Sequence, residues 1–243
     1  MRKSSLLLLA LTVASSCTNN NIQNVTPHVI REDPDWIRLE IPKGREAYAI
    51  AGDIDKTLLV TTWTKAYYTT DRGKTWKESK NFNGPVPGLL VRNDTTFSME
   101  ARAFSQQGDL VGANIVNYFT ANYGETWESY FKYYKEYLSE IKPIGRVKST
   151  KGSIYYIKSN STPTAAGSSS AYVNPSEVIR EDSRGQQAIP FPFKQNLLNL
   201  HIDVQNRLYI AASGGTYQSE NNTFSCCADD MSAIIFISKK PVP

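Results

Sequence analysis

Acidic pairs are the first residues in this chain that could carry chemistry. Asp53 and Asp55 are separated by one residue, and Asp229 and Asp230 are adjacent. Two neighbouring carboxylates can divide general-acid and general-base work when their environments separate the two pKa values. Both pairs, however, lie among residues that favour turns. We therefore expect neither pair to be catalytic.

Metal-binding and nucleophilic residues are few. His28 and His201 are the only histidines, and neither has the spacing of a metal ligand. Cys226 and Cys227 are adjacent, and a disulfide between neighbours requires a strained geometry. They are interpreted as two small buried residues at a strand end, with a reactive or metal-binding pair as the alternative. We expect no metal, no cofactor and no catalytic activity.

An eight-residue pattern that occurs twice is the strongest signal in the chain. Residues 69–76 are Thr-Thr-Asp-Arg-Gly-Lys-Thr-Trp, and residues 120–127 are Thr-Ala-Asn-Tyr-Gly-Glu-Thr-Trp. Glycine supplies a positive φ, and the Asp or Asn side chain accepts bonds from backbone N–H groups of the turn. The tryptophan begins the next strand and can bury its ring between sheets. The predicted structural residues are Thr69, Asp71, Gly73, Thr75 and Trp76, and Thr120, Asn122, Gly124, Thr126 and Trp127.

This pattern resembles the Asp-box, or BNR repeat, of sialidase-like and sortilin-like β-propellers. The resemblance implies that the boxes are structural and lie away from any active site. A sialidase also needs three arginines on the substrate carboxylate, a Tyr–Glu pair and an Asp acid. The family's Arg-Ile-Pro motif is missing, because residues 40–42 are Glu-Ile-Pro and residues 188–190 are Ala-Ile-Pro. Single arginines are scattered at Arg38, Arg92, Arg102 and Arg180. The resemblance therefore predicts the scaffold without the chemistry.

Short strands bounded by turn residues make up the rest of the chain and predict an all-β fold. Four strand-rich units cover residues 46–80, 84–131, 140–193 and 194–227, which is typical of a radial repeat. We predict a small β-propeller of about four to five four-stranded blades. Strands at 36–41 and 232–238 are expected to complete one blade together and close the ring.

Three details of the later units are also predicted. In the second unit, residues 109–112 and 117–120 are expected to form separate strands. In the third, the Ser- and Thr-rich residues 159–170 are expected to form a loop. In the fourth, residues 219–224 are interpreted as a decayed box that lacks the glycine.

The N-terminal residues predict an address in a bacterial cell envelope. Basic residues at 2–3 precede an apolar run at 6–13, which is typical of a secretory signal and too short to span a bilayer. Ala14-Ser15-Ser16-Cys17 resembles a lipoprotein lipobox, which implies cleavage before Cys17 and a lipid such as palmitate on it. An ordinary signal peptide with an incidental cysteine is the alternative.

The domain boundaries follow from this leader. Residues 1–16 are assigned to the signal peptide, residues 17–33 to the lipidated cysteine and a flexible tether, and residues 34–243 to the propeller. The Asn-rich, uncharged tether resembles those of Bacteroidota lipoproteins. Because no acidic residue follows Cys17 directly, the resemblance favours an outer-membrane protein that faces the periplasm.

Charge and aromatic residues bound the possible partners. Lysine and arginine exceed aspartate and glutamate by only 27 to 23, which does not favour nucleic acid. Trp63, at a strand end, is a candidate for the mouth of the central channel, with core filling as the alternative. A possible binding platform for a glycan or protein consists of Tyr130, Tyr133, Tyr134 and Tyr137. Their spacing also fits a short helix or an outer segment whose rings cover the second blade.

The sequence therefore predicts an envelope lipoprotein whose non-catalytic propeller binds an envelope protein or glycan. The membrane is contacted through the N-terminal lipid. A divergent glycan-active hydrolase and an envelope assembly factor are the alternatives.

Overall fold

The computed structural model describes residues 33–130, 137, 139–225 and 228–243. Several sequence predictions lie outside these residues: the signal peptide, Cys17 and its tether, His28, Tyr133, Tyr134, Cys226 and Cys227. The described residues form eighteen β-strands and no helix, so the all-β prediction is confirmed. Within them, no helix is long and apolar enough to span a membrane.

Four antiparallel sheets of four strands form a four-bladed β-propeller. Blade 1 contains β2 (Ala49–Gly52), β3 (Leu58–Thr61), β4 (Lys65–Thr69) and β5 (Lys77–Asn81). Blade 2 contains β6 (Gly88–Arg92), β7 (Thr95–Phe104), β8 (Leu110–Thr120) and β9 (Glu128–Ser129). Blade 3 contains β10 (Arg146–Lys148), β11 (Ile154–Pro163), β12 (Ala171–Asp182) and β13 (Gly185–Ala188). Blade 4 contains β14 (Leu197–Ile202), β15 (Leu208–Ala212), β18 (Ala233–Ser238) and β1 (Trp36–Ile41), while β16 (Thr216–Gln218) and β17 (Thr223–Ser225) form a separate hairpin.

Ring closure occurs through the pairing of β1 with β18, as the sequence predicted. The register runs from Trp36 opposite Ser238 to Ile41 opposite Ala233. All six residues of β18 are buried, because the strand has a neighbouring blade on each face. Ile235 and Ile237 face the core shared with blade 1, and Phe236 faces the core shared with blade 3. A continuous apolar run is what a strand buried on both faces requires.

Two predictions, one wrong and one wrong only in part, concern unusually long hairpins. Residues 110–112 and 117–120 belong to one strand, β8, which pairs with β7 as far as Phe104 opposite Leu110. The predicted loop at 159–170 is loop only at 164–170, since β11 continues to Pro163 and β12 starts at Ala171. Each hairpin extends beyond its blade as a two-stranded ribbon. A solvated ribbon has no core face, so its sequence lacks the alternation that marks a strand.

The fourth unit also departs from its prediction. Residues 219–222 of the predicted decayed box connect β16 to β17, in which its last two residues lie, and this hairpin is separate from the blade. The third strand of blade 4 is β18 instead. The decayed turn keeps one bond of the pattern, from the Thr223 hydroxyl to Asn221 Oδ1 at 3.0 Å.

The propeller has two distinct faces. At the box face, the inner strands β2, β6, β10 and β14 end, and the turns at 53–57, 69–76, 120–127, 149–153 and 203–207 lie there. Asn206 Oδ1 accepts a bond from Thr150 N at 2.9 Å, so turns of blades 4 and 3 meet at this face. At the hairpin face, the inner strands begin, and the turn at 62–64, the ribbons of β7–β8 and β11–β12 and the β16–β17 hairpin lie there.

Candidate functional site

The first repeated turn is closed by its own side chains. Asp71 Oδ1 accepts bonds from Thr75 N at 2.9 Å and from the Thr69 hydroxyl at 2.8 Å. Its other oxygen accepts the Thr75 hydroxyl at 2.6 Å. Gly73 has a φ of +80°, and its N–H donates to Thr69 Oγ1 at 3.0 Å. These bonds hold the pKa of Asp71 down at about 2, with the Thr75 hydroxyl as the main cause.

The second turn repeats this arrangement with an amide in place of the carboxylate. Asn122 Oδ1 accepts Thr126 N at 3.0 Å and the Thr120 hydroxyl at 2.9 Å. Its Nδ2 donates to Thr126 Oγ1 at 2.9 Å, which the carboxylate cannot do. Gly124 has a φ of +94° and donates to Thr120 Oγ1 at 2.9 Å.

Both turns pack on the preceding blade. A Cβ on Gly73 would lie 2.8 Å from a Leu39 methyl of blade 4, and one on Gly124 would lie 2.6 Å from a Leu59 methyl of blade 1. The Trp127 indole N–H donates to Ser79 Oγ at 2.6 Å, and its ring meets Phe82 edge-on with centroids 5.4 Å apart. The turn residues therefore locate each blade against its neighbour.

A charged network joins blades 4 and 1 on the same face. The Arg207 guanidinium contacts Asp203 Oδ2 at 2.7 Å and Asp55 Oδ2 at 2.7 Å. Asp55 Oδ1 also receives Arg72 of the first repeated turn at 2.6 Å. The Tyr209 hydroxyl donates to Asp203 Oδ2 at 2.9 Å and accepts the backbone N–H of residue 54 at 3.0 Å. Asp55, which the sequence places only in a turn, therefore also joins blade 1 to blade 4.

Side chains of blades 1 and 2 meet on the hairpin face. We call this group the inter-blade cleft and define it by Arg45, Glu46, Tyr48, Trp63 and Arg102. Trp63 follows β3 and its side chain is 45% exposed. Its ring centroid lies 6.1 Å from that of Tyr48, and the Arg45 guanidinium lies 5.8 Å from it. This exposure argues against core filling, and the place of Trp63 at the mouth of the central channel stays a prediction.

Blade 2 supplies the other wall of the inter-blade cleft. Arg102, on the β7–β8 ribbon, reaches across so that its guanidinium lies 5.9 Å from the Tyr48 ring centroid. Glu100 shares that face of β7 because side chains alternate along a strand. Its carboxylate accepts the Ser98 hydroxyl at 3.0 Å and Asn117 Nδ2 at 2.9 Å. The cleft thus combines aromatic rings with guanidinium and carboxylate groups.

The tyrosine of the cleft is not suited to act as a nucleophile. The Tyr48 hydroxyl donates to Glu46 Oε2 at 2.6 Å, and the residue is buried. Burial raises the pKa of Tyr48 well above its usual value, and the bond to Glu46 raises it further. Arg102 and Arg45 act in the opposite direction but do not offset burial. A phenolate is therefore disfavoured, and the arrangement suits hydrogen bonding and ring stacking.

The tyrosines proposed as a platform are divided. Tyr133 and Tyr134 lie outside the described residues. Tyr130 and Tyr137 pack on the core of blade 2, with centroids 5.4 Å and 5.1 Å from Phe97. They are 5.8 Å from each other. These two rings cover the outer part of blade 2, as the alternative interpretation expected, and they are not part of the inter-blade cleft.

Sequence reasoning missed most of the cleft. From the sequence, Tyr48 is only one residue of the first strand-rich unit, and Arg102 is one of the scattered arginines. The sequence gives only a weak signal of this group of side chains, since Arg45 precedes β2 and Trp63 follows β3. The other arginines remain apart, since Arg38 pairs with Glu40 and Arg92 with Glu140. Among the described residues, no group of three or more His, Cys, Asp and Glu side chains could hold a metal ion.

The known proteins with which this chain was compared are at most remotely similar to it. No protein-family model matches this chain, and no curated protein matches it. Virginiamycin B lyase from Staphylococcus aureus is 10% identical with a TM-score of 0.29, and the match covers 83% of this chain and 99% of that one. A putative gluconolactonase is 12% identical with a TM-score of 0.23, covering 76% and 71%. A Trypanosoma rangeli sialidase mutant displaying trans-sialidase activity is 14% identical with a TM-score of 0.24, covering 83% of this chain but 29% of the sialidase.

Proposed function

We propose that this protein is a non-catalytic β-propeller of the bacterial cell envelope that binds a protein or glycan partner through its hairpin face. The observation that carries the proposal is the inter-blade cleft, with Trp63 exposed among charged side chains. Large apolar residues on the neighbouring ribbons are also exposed, among them Phe104 (59%), Tyr172 (43%) and Val173 (48%). Exposed apolar groups rimmed by polar ones are typical of interaction surfaces.

Two further elements belong to the same proposal. The two repeated turns at 69–76 and 120–127 are Asp boxes, and this is supported by their matching side-chain hydrogen bonds. The protein is a lipoprotein of the outer membrane that faces the periplasm and carries its lipid on Cys17. Labelling cells with a palmitate analogue tests the anchor. We expect label on the wild-type protein and none on Cys17→Ala, and an unlabelled wild type would refute it.

Site-specific photo-crosslinking tests the binding face. A benzophenone amino acid is placed at Trp63 and, as a control, at Tyr123 on the box face, since both side chains are 45% exposed. In envelope extracts we expect a discrete adduct from position 63 and none from position 123. A glycan array probed with the full chain covers partners that are sugars. No adduct from position 63 together with no glycan binding would refute the proposal.

A glycan-active hydrolase is the second candidate, because one feature of the cleft favours it. The Tyr48–Glu46 pair lies near the guanidiniums of Arg102 and Arg45, which is part of the arrangement that such an enzyme requires. Aryl glycosides test it directly. We expect no turnover above buffer, and turnover that is lost in Tyr48→Phe would establish the enzyme. An assembly factor would be recognised instead by adducts with precursors of envelope proteins.

A further inference from the structure

One edge of β7 is open where the strand extends beyond blade 2. β6 pairs with β7 only as far as Met99, whereas β8 pairs with it as far as Phe104. β6 does not begin earlier, because Pro87 has no N–H group and its carbonyl oxygen accepts the Asn199 amide at 3.2 Å. Among the described residues, no other strand pairs with this side of β7. We call residues 100–104 the open edge.

The main-chain groups of the open edge alternate in direction. Ala113 of β8 exchanges both of its main-chain bonds with Lys142, at 2.8 Å and 2.9 Å, so these groups point away from β7. In an antiparallel pair, the residue opposite then also points its groups away from its partner. Arg102, opposite Ala113, therefore directs its N–H and C=O out of the open edge. Phe104 does the same, because the N–H of residue 105 donates across the hairpin at 2.8 Å.

The ribbon of β11 and β12 provides a contrast. β11 ends at Pro163 and β12 contains Pro175, and proline lacks the N–H that a new strand requires. The open edge of β7 is Glu-Ala-Arg-Ala-Phe and contains no proline. Proteins usually cover or block such an edge, because an extended chain can pair with it. The uncovered groups of β7 are therefore available to a partner.

The open edge borders the inter-blade cleft. The Arg102 guanidinium lies 5.9 Å from the Tyr48 ring centroid, so the Arg102 side of β7 faces blade 1. A residue paired with Arg102 would lie on the same side, with its Cβ about 5 Å away. Its side chain would then point towards Tyr48 and Trp63, whose rings lie 6.1 Å apart. Trp63 is exposed and offers an apolar surface to that side chain.

We propose that the open edge binds an extended segment of a partner protein, which adds to blade 2 as a further strand and packs an apolar side chain on Trp63. A polypeptide supplies N–H and C=O groups at the spacing of Arg102 and Phe104, which a glycan does not. This inference rests on the proposed function of the hairpin face and assigns its partner to the proteins.

Proline substitution combined with the photo-crosslinking assay tests the main-chain bonds. Phe104→Pro removes an outward N–H and keeps the pairing with β8, whereas Phe104→Ala removes the ring and keeps the N–H. With the benzophenone at position 63, we expect the adduct to fall at least tenfold in Phe104→Pro and less than threefold in Phe104→Ala.

Ser161→Pro on β11 is the matched control. The N–H of Ser161 also points outwards, since Thr164 donates across that hairpin at 3.0 Å. This variant should leave the adduct unchanged. An equal loss in Ser161→Pro, or no loss in Phe104→Pro, would overturn the added strand while the partner-binding face stands. No adduct from the wild-type chain would refute the face and the added strand together.

Synthetic peptides test the mode of binding without envelope extract. Heptapeptides selected on the full chain from a random displayed library are made again with N-methyl groups on every second residue, in both registers. Only alternate N–H groups of an added strand bond to β7. One register should therefore lose at least tenfold in affinity, measured by fluorescence polarisation, and the other should stay within about threefold. Equal effects of the two registers, or a library without binders, would overturn the added strand, also if Phe104→Pro fails to fold.

Two other occupants of the open edge are distinguished by further measurements. Sedimentation velocity of the full chain should show a monomer. A dimer that Phe104→Pro dissociates would overturn the proposal, because a second copy would then occupy the edge. A glycan that binds the chain and displaces the selected heptapeptides would assign the inter-blade cleft to a sugar and would also overturn it.

Discussion

The box face and the hairpin face of this propeller use polar side chains in different ways. On the box face, Asp203, Arg207 and Asp55 bond between blades 4 and 1, and Asn206 bonds between blades 4 and 3. On the hairpin face, the ion pair of Lys158 and Glu177 at 3.0 Å stays within one hairpin, and the pair of Arg45 and Asp229 at 3.2 Å lies at the exposed surface. The uncharged Asn199 amide also joins blades, since it donates to Pro87 O and accepts from Gly145 N. The buried charged contacts between blades therefore lie on the box face, and we expect the hairpin face, whose ion pairs are exposed, to be the face that specialises for binding.

The largest effect is expected when the network between blades 4 and 1 is broken. Asp203→Ala leaves Arg207 with one of its two carboxylates at a site where the side chains are 0% and 8% exposed. We expect the free energy of unfolding to fall by about 3 kcal/mol, because a partly unpaired buried charge is costly. Urea unfolding followed by circular dichroism measures this. The matched change Glu177→Ala on the hairpin face should leave the midpoint nearly unchanged, and similar shifts in both variants would contradict the comparison.

The packing of the second repeated turn on blade 1 predicts a smaller effect. Gly124 and Gly152 both have a φ of +94°, but only at Gly124 would a Cβ meet a neighbour, Leu59 at 2.6 Å. Gly152→Ala should cost about 1 kcal/mol through its left-handed backbone alone. Gly124→Ala should cost about 1–2 kcal/mol more, because Leu59 must shift. If the two variants lose the same stability in thermal unfolding, the turn does not locate the blade.

His201 predicts an acid-sensitive step at the box face. Burial lowers the pKa of His201 to about 4, and its Nε2 lies 2.9 Å from the carbonyl oxygen of Gly52 in blade 1. The unfolded chain takes up a proton near pH 6.5 whereas the folded protein does not. Stability should therefore fall as the pH drops from about 6.5 to about 4, by about 2 kcal/mol. Urea unfolding at pH 7.5 and at pH 4.5 gives the difference in unfolding free energy between the two pH values. This difference should be smaller for His201→Gln than for wild type. An unchanged difference would exclude His201 as the cause.

The two repeated turns predict a further effect at lower pH. The depressed pKa of Asp71, about 2, contributes stability that is present above its unfolded value near 4 and is lost as the pH falls through about 2. The side chain lies near solvent, so the contribution is small. Asp71→Asn copies Asn122, whose amide forms the same turn bonds and donates one more. We expect this variant to match wild type at pH 7 and to lose less stability between pH 4 and pH 2, and an equal loss would contradict the prediction.

Much of the fold could be predicted because local chemistry specifies it. The spacing of Asp71 and Gly73 identifies a turn without reference to the rest of the chain. The run at 233–238 needs a position buried on both faces, and the alternating strand at 36–41 provides a covering edge. The ribbons were missed because solvated two-stranded pairing leaves no apolar period in the sequence.

The candidate site was less predictable because its residues come from separate blades. Tyr48 and Arg102 are 54 residues apart in the sequence. They meet only because the β7–β8 ribbon approaches blade 1. Nothing in the local sequence of either residue signals that approach. The network of Asp203 and Arg207 did leave a trace, since Asp53 and Asp203 each begin a five-residue turn with the same backbone bond. That recurrence would have indicated a second repeated turn at the box face.

Substitution of Trp63 should have the smallest effect on folding among these changes but a large effect on binding. It therefore separates stability from binding most clearly. Its side chain is 45% exposed, and its contacts with Tyr48 and Arg45 are long, at 6.1 Å and 5.8 Å. Trp63→Ala should therefore change the free energy of unfolding by about 0.5 kcal/mol, as at other exposed sites.

The same change should abolish partner capture, because exposed aromatic rings supply much of the energy at binding surfaces. The control is Tyr123→Ala on the box face, equally exposed, which should keep capture intact. Affinity capture with an alternative crosslinking position at Phe104 measures binding in both variants. If Trp63→Ala binds normally, or if it unfolds like Asp203→Ala, then the hairpin face carries structure and the division between the two faces is wrong.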